Sequence, residues 1–388
     1  MRYASRVGSL RPSATMAAAA AVQEAIRRGE DIIRFDIGEP DFDTPDHIRE
    51  AGIDAIRKGF THYTSARGIP ELGAALAQSL TADGMDVGPR NLAFYPGSKL
   101  GVYSLLSLLV GDGDEALIQD PAWPTYASIV EYLGGSPCLV NAWDEGDPDS
   151  FPVQRFVKKM TTKTKAVVVN SPCNPTGSVA KRRTLEELAE ACSSRGVVLV
   201  LDRIYSAITY DGGPEKAPAA DFENGSVAVV SGFSKEFAMT GWRLGYTVAS
   251  KELTDLLVKV IDNTATCASA FVQKAAVAGL TGERSWQRKM NDEYRARRDL
   301  MLEEIGRVPG WTCARPSGAF YCFANMGRPE SVALSDALLR EAKVSSVAGA
   351  QFGPAGEGHI RLSYTTSRDR IAEGMGRIRR FVESAGTS

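Results

Sequence analysis

The sequence predicts an α/β fold: a large domain with a mostly parallel sheet covered by helices on both faces, plus a smaller α+β domain built from the C-terminus and the N-terminal segment. Three observations predict it. Between residues 92 and 249, short β-branched runs alternate with helical runs, the pattern of strands buried on both faces. Polar residues collect just past the ends of those runs, where open α/β sheets hold their ligands. From residue 286 the character changes to a polar, arginine-rich helix, then separated strands and a closing helix. The expected division is 1–44, an N-terminal segment joining the small domain; 45–285, the large domain; and 286–388, the small C-terminal domain.

Taken in order, residues 16–22 read MAAAAAV after Arg2, Arg6 and Arg11. The run is short, weakly apolar and bounded at once by charged residues, so it reads as a helix start capped by Ser13 or Thr15 rather than a secretory core. Leu92–Tyr95 is a strand that leads through Pro96-Gly97-Ser98 into a helix near Lys99. Residues 115–119 form a strand ending at the turn Asp120-Pro121, and 166–170 (AVVVN) one ending in Ser-Pro-Cys-Asn-Pro-Thr-Gly. Thr184-Leu185-Glu186-Glu187 has the form of a capping box, and its helix stops before Gly196. Further strands occur at 197–201, ending at Asp202, at 227–230, ending in Ser231-Gly232-Phe233-Ser234-Lys235, and at 244–249. Beyond them come the helix carrying Arg295, Arg297 and Arg298, strands at 319–323 and 359–363, and a final helix from Arg368.

Composition narrows the function. The 388 residues are 44% apolar and 24% charged, near the globular average and unlike a disordered chain or coiled coil. Lys and Arg number 45 against 47 Asp and Glu, a net of −2. That balance lacks the basic excess of a nucleic-acid binder and the polybasic patch of a membrane-surface protein. No apolar run reaches the roughly 18 residues of a membrane span. Six scattered cysteines, with no C-x-x-C pair and no histidine at ligand spacing, suit buried thiols in a reducing cytoplasm and leave no expected metal site. His47, His62 and His359 offer little to a histidine-dependent hydrolase.

The polar residues at the strand ends are Gly97-Ser98, Trp123, Asn174, Asp202 with Tyr205, and Ser234-Lys235. A lysine flanked by hydroxyls just past a buried strand is the kind of amine that forms a Schiff base with an aldehyde cofactor, because desolvation keeps part of it neutral. A carboxylate such as Asp202, set against a pyridine nitrogen, keeps that nitrogen protonated and the ring electron-accepting. Gly97-Ser98 at a helix start suits a phosphate, Arg243 could pair with the same phosphate, and Trp123 could stack on an aromatic ring. Singly, each has a plain structural reading as well: a solvated lysine, a helix cap, a surface arginine, a core tryptophan, a turn asparagine.

Ser234-Lys235 with Phe237-Ala238-Met239-Thr240-Gly241-Trp242-Arg243-Leu244-Gly245-Tyr246 resembles the lysine signature of the class I/II aminotransferases, pyridoxal-phosphate enzymes of fold type I. Segments resembling the same family occur in the same order: Gly38-Glu39-Pro40-Asp41-Phe42-Asp43-Thr44-Pro45, Tyr63 with Gly68-Ile69-Pro70-Glu71-Leu72, residues 170–177, Pro316-Ser317-Gly318-Ala319-Phe320-Tyr321, and His359-Ile360-Arg361-Leu362-Ser363-Tyr364. The resemblance implies that Lys235 binds pyridoxal 5'-phosphate and then acts as general acid/base. It implies that Asp202 pairs with the ring nitrogen, that Tyr205 and Asn174 bond the ring O3′, and that Trp123 and Ile204 pack on the ring's two faces. Gly97, Ser98 and Lys99 amides, with Ser234 and Arg243, would cradle the phosphate, and Tyr63 would reach it from a second subunit, implying a homodimer. Arg361 would clamp the substrate α-carboxylate, helped by Asn174 and the Gly38 backbone, with Phe320 and Tyr321 lining the region. The small domain carrying Arg361 would close on the substrate.

Three departures stand out. Asp202-Arg203-Ile204-Tyr205 has Arg203 where the family usually has glutamate, Ser231 replaces a frequent asparagine, and Leu100-Gly101-Val102-Tyr103 replaces a Gln-Ala-type run. Strand alternation should point Arg203 away from the face shared by Asp202 and Ile204, so an ion pair behind the site is expected to be rewired. The implied reaction moves an α-amino group from an amino acid to a 2-oxo acid. Lys99, where some aspartate-type relatives place a lysine for a distal carboxylate, suggests aspartate or glutamate in one half-reaction; the alternative is that Lys99 is solvated or serves the phosphate through its backbone. Other readings keep the cofactor and eliminate a β-substituent, decarboxylate, or react with oxygen. A non-catalytic cofactor-binding domain is the remaining alternative.

Overall fold

The computed structural model describes residues 7–8, 22–211, 218 and 222–386. Ser13, Thr15 and all but the last residue of the helix start expected at 16–22 lie outside these. A two-residue strand, β1 (Ile33–Arg34), comes before the central sheet. Seven strands form that sheet: β2 (Leu92–Tyr95), β3 (Glu115–Asp120), β4 (Ser136–Asn141), β5 (Thr164–Asn170), β6 (Val198–Asp202), β7 (Val227–Gly232) and β8 (Gly245–Val248), in the order β2-β8-β7-β6-β5-β3-β4. Strands β4, β3, β5, β6 and β7 pair in parallel, whereas β8 runs antiparallel to both β7 and β2. The sheet is therefore mostly parallel, as the alternating pattern predicts.

Alternation along the strands divides the apolar residues between two cores. Phe94, Leu117, Val167, Val169, Leu199, Leu201 and Val229 pack into one. Ala93, Ile118, Ala166, Val168, Val200, Ala228 and Val230 pack into the other. Both faces are thus covered, which is why these strands read as continuous apolar runs. Each fully buried Val or Leu contributes about 1.5–3 kcal/mol over its exposed state.

A third core joins the chain's two ends. There β1 pairs in parallel with β11 (Val344–Ser345). An antiparallel sheet of β12 (Val347–Ala348), β13 (His359–Ser363), β10 (Tyr321–Asn325) and β9 (Thr312–Cys313) packs beside it. The arginine-rich helix Ser285–Gly306 and the closing helix Arg368–Gly386 flank this region.

Two local readings differ from the structure. The expected capping box at Thr184 is not the helix start: the helix runs Arg182–Ser193 with Lys181 before it. The Lys181 carbonyl accepts the Thr184 and Leu185 N–H groups at 2.9 and 3.1 Å, so the first turn begins ahead of Thr184, and Arg182 and Arg183 each pair one turn ahead, with Glu186 and Glu187. Strand β4 is missing from the sequence reading; it lies at the sheet edge, is only partly buried and tolerates Pro137.

Candidate active site

The parallel strands end at one edge of the sheet, and the residues just past them line a cleft of about 730 Å³. Ser98 and Lys99 come after β2, Trp123 after β3 and Asn174 after β5; Asp202 ends β6, and Ser234 and Lys235 come after β7. Arg243 precedes β8 yet lines the same cleft, because an antiparallel strand begins at the edge where its neighbours end. Ile204, Tyr205, Gly38 and Arg361 complete the set of expected residues brought together there. Gly97 borders it through Arg243. Tyr63 is not in the cleft of its own chain; it is 86% exposed and lines a separate hollow with Phe60 and His62.

The two groups with the sharpest chemistry are both perturbed by desolvation. Lys235 sits on the short helix Phe233–Glu236, and its Nζ donates to the Gly38 carbonyl. Removal from water, with Arg243 and Arg361 nearby, pushes its ammonium down to about 8 against the pull of Glu39 and Asp202. Asp202 is buried, accepts from Tyr126 Oη at 2.7 Å and from the Ile204 N–H at 3.0 Å. Burial raises its carboxyl above the usual range, and the bond from Tyr126 opposes that rise. A buried acid held by two donors at the end of β6 is positioned to grip a partner that carries a proton.

Arg361, on β13, is held in place by bonds from Nη1 to Asn174 Oδ1 at 3.0 Å and from Nη2 to the Asp36 carbonyl at 2.7 Å. Its guanidinium lies over the rings of Tyr321 and Phe352, 4.5 and 5.2 Å from their centroids. Its Nε is buried and has no hydrogen-bond partner among the described residues, an unmet donor at a cleft that an anion can enter. Tyr205 Oη and Tyr321 Oη share a hydrogen bond of 2.9 Å. Phe320 lies behind them, edge-on to Tyr205.

At the start of the helix Ser98–Leu109, Gly97 adopts φ 90°, and a side chain there would overlap the Arg243 guanidinium. The Ser98 hydroxyl donates to the Ser231 carbonyl at 2.8 Å, tying this helix start to β7. Side chains at Gly232 and Gly245 would overlap Ser98, so glycine permits that close approach. First-turn amides and an arginine around a space that excludes side chains suit a phosphate. Lys99 Nζ lies 4.9 Å from the centre of the Trp123 ring. Burial, with Arg243 nearby, lowers its ammonium.

Sequence reasoning missed Tyr126, Asn170, Asp36 and Phe352. Asn170 carried a legible signal: it ends β5 as Asp202 ends β6, in register with it. It accepts from the Asn174 N–H at 2.8 Å and donates to the Asp202 carbonyl at 3.0 Å. Tyr126, Asp36 and Phe352 come from a helix, a loop and a distant turn, and nothing in their local sequence marks them.

A partly neutral lysine and a buried acid sharing one cleft with a helix start that suits a phosphate meet the needs of pyridoxal phosphate, so fold and site together fit a pyridoxal-phosphate enzyme. The chain matches the family described as aminotransferase class I and II over residues 30–378. It is 35% identical to aspartate aminotransferase of Geobacillus stearothermophilus over 99% of this chain and 100% of that one. It is 38% identical to aspartate aminotransferase of Pyrococcus abyssi, covering 91% of this chain and 92% of the relative. The structure of Thermus thermophilus aspartate aminotransferase with maleate superposes with a TM-score of 0.92 at 36% identity, over 98% of this chain and 100% of that one. The chain belongs to the class I and II aminotransferase family, and it is a pyridoxal-phosphate-dependent transferase.

Proposed function

We propose that this aminotransferase takes aspartate or glutamate in at least one half-reaction, passing the α-amino group to a 2-oxo acid. The observation that carries this reading is the Lys99 ammonium inside the cleft, over Trp123, where it can meet a second carboxylate. Relatives named aspartate aminotransferase and the maleate, itself a dicarboxylate, in the Thermus structure favour the same chemistry.

When bound, pyridoxal phosphate supplies a ring that accepts the charge developing at the substrate Cα. Asp202 would hold a proton on the ring nitrogen, and Tyr205 and Asn174 would bond O3′. Trp123 and Ile204 would sandwich the ring. The Gly97, Ser98 and Lys99 amides, with Ser234 and Arg243, would hold the phosphate, joined by Tyr63 from a second subunit. Arg361, steadied by Asn174 and Asp36, would clamp the α-carboxylate, beside the Gly38 backbone. Lys235 Nζ, partly unprotonated near neutral pH, would take the proton from Cα and return it on the cofactor side. We also read residues 45–285 as the large domain, and 1–44 with 286–388 as the small domain that closes the cleft. The homodimer reading draws support from Ile53 and Ile56, exposed apolar residues that line a second cleft with Trp242 and Phe271. Buried thiols at Cys173, Cys192 and Cys322 suit a cytoplasmic setting.

Absorbance changes of the cofactor-loaded enzyme mixed with single amino acids, with products identified, test the reading. Aspartate or glutamate should drive complete amino transfer, with a 2-oxo acid as product. Lys99→Ala should raise the KM for both by about tenfold, the equivalent of about 1.4 kcal/mol, and leave monocarboxylic amino acids unaffected. Unchanged KM values would sink the dicarboxylate reading, and ammonia, carbon dioxide or peroxide as the main product would sink amino transfer.

A further inference from the structure

Arg361 takes one of its acceptors from the N-terminal segment: its Nη2 donates to the Asp36 carbonyl at 2.7 Å. That carbonyl stands just past a very short strand. β1 pairs with β11 through Ile33 opposite Val344 and Arg34 opposite Ser345, and the Phe35 N–H continues the ladder to the Ser345 carbonyl at 3.0 Å. Asp36 comes one residue later, and there side chains do the holding. Its carboxylate accepts from Arg34 at both oxygens, from Nε at 3.1 Å and from Nη2 at 2.6 Å. Oδ1 accepts from the Ser345 hydroxyl as well. Because Arg34 and Ser345 are cross-strand partners, the clasp they close on Asp36 spans both strands.

The same clasp settles a question of charge. The Asp36 side chain is only 6% exposed, and Asp36, Arg34 and Arg361 line one cleft. A carboxylate so buried, left unpaired, would draw Arg361 to itself and repel an incoming anion. Its ion pair is with Arg34 instead, whose planar fork meets a carboxylate at two points. Burial pushes the Asp36 carboxyl up, but Arg34 and the Ser345 hydroxyl outweigh it and hold the group below the usual range. We propose that Arg34 is a positioning residue: by clasping Asp36 together with Ser345 it fixes the carbonyl that aims the Arg361 guanidinium, and it keeps the Asp36 charge from competing with a substrate α-carboxylate.

The inference rests on the reading that Arg361 clamps the α-carboxylate, and the test separates the two. Two oxyamines attack the cofactor aldehyde and remove the visible band of the loaded enzyme: aminooxyacetate, which carries a carboxylate, and methoxyamine, which does not. The ratio of their rates reads the grip on a carboxylate without turnover. In Arg34→Gln this ratio should fall about tenfold with the methoxyamine rate unchanged. The amino-acid KM should rise about tenfold with kcat within about twofold, the pattern of binding lost equally from ground and transition states. Arg34→Lys should lose less, and Arg34→Gln combined with Asp36→Asn, which removes the unpaired charge, should recover part of the ratio. If Arg34→Gln does not fold, Ser345→Ala must still lower the ratio, by about threefold for one lost hydrogen bond. A ratio unchanged in Arg361→Gln removes the reading on which the proposal stands. A ratio lost in Arg361→Gln but kept in Arg34→Gln and Ser345→Ala overturns the clasp alone. Equal falls in both oxyamine rates, or a double variant no better than Arg34→Gln, overturn it as well.

Discussion

Lys235 is the residue at which local sequence and function meet most directly. Its hydroxyl neighbour and its place after a buried strand are visible in the chain, but its perturbed acidity needs the Gly38 carbonyl and Arg243 and Arg361 from distant segments. The consequence is measurable in the cofactor-free protein. The folded value of about 8 lies below the ordinary 10.5, so below about pH 8 both states are protonated and the cost of desolvating the charge is fully present. Between those values the unfolded chain holds a proton that the folded one releases, and stability rises with pH. Lys235→Met should therefore stabilise the cofactor-free protein at pH 7 by up to about 3 kcal/mol, less what water in the cleft screens. Denaturant unfolding at pH 7 and at pH 10 checks this: the advantage should shrink at the higher pH, and a constant difference would refute the assignment. Asp202 shows the complementary limit of sequence reading. Its position at a strand end is legible, whereas Tyr126, which donates to it, is not, because that contact spans unrelated elements.

Among the elements, the helix Ser98–Leu109 illustrates how a short segment turns into a binding feature. Gly97 at φ 90° ends the approach from β2, and Arg243 occupies the space where a side chain would stand. Gly97→Ala should impose about 1–2 kcal/mol of backbone strain and displace Arg243, lowering cofactor affinity about tenfold. Cofactor retention on dialysis, read by absorbance, measures it, and retention equal to the unmodified protein would count against a phosphate cradle here. The strands of the sheet are readable because burial on both faces leaves an unbroken apolar run. Their directions are not, since apolarity carries no polarity along the chain: nothing in GYTV announces that β8 runs antiparallel. The capping pattern at Thr184 also misleads. The helix starts earlier than that pattern, with the Lys181 carbonyl already accepting the Thr184 and Leu185 N–H groups.

Across the whole molecule, the exposed Ile53 and Ile56, beside Trp242 and Phe271, form an apolar surface that a second copy of the chain would cover. On the proposed homodimer, Ile56→Asp should shift the protein from dimer to monomer in sedimentation and cut activity in step with the loss of dimer, because Tyr63, outside its own cleft, would no longer reach the site proposed for it in a second subunit. A variant that stays dimeric and fully active would remove the support this surface gives. The sequence by itself determined the layered α/β plan, the acid and the amine at strand ends, and the motifs that mark the family, since each depends on order and spacing along one stretch of chain. Only the tertiary structure decided how Arg361 is held by Asn174 and Asp36, and how Tyr126 reaches Asp202. Those relations join segments far apart in the chain, and they arise from the packing of elements whose local sequences carry no record of one another.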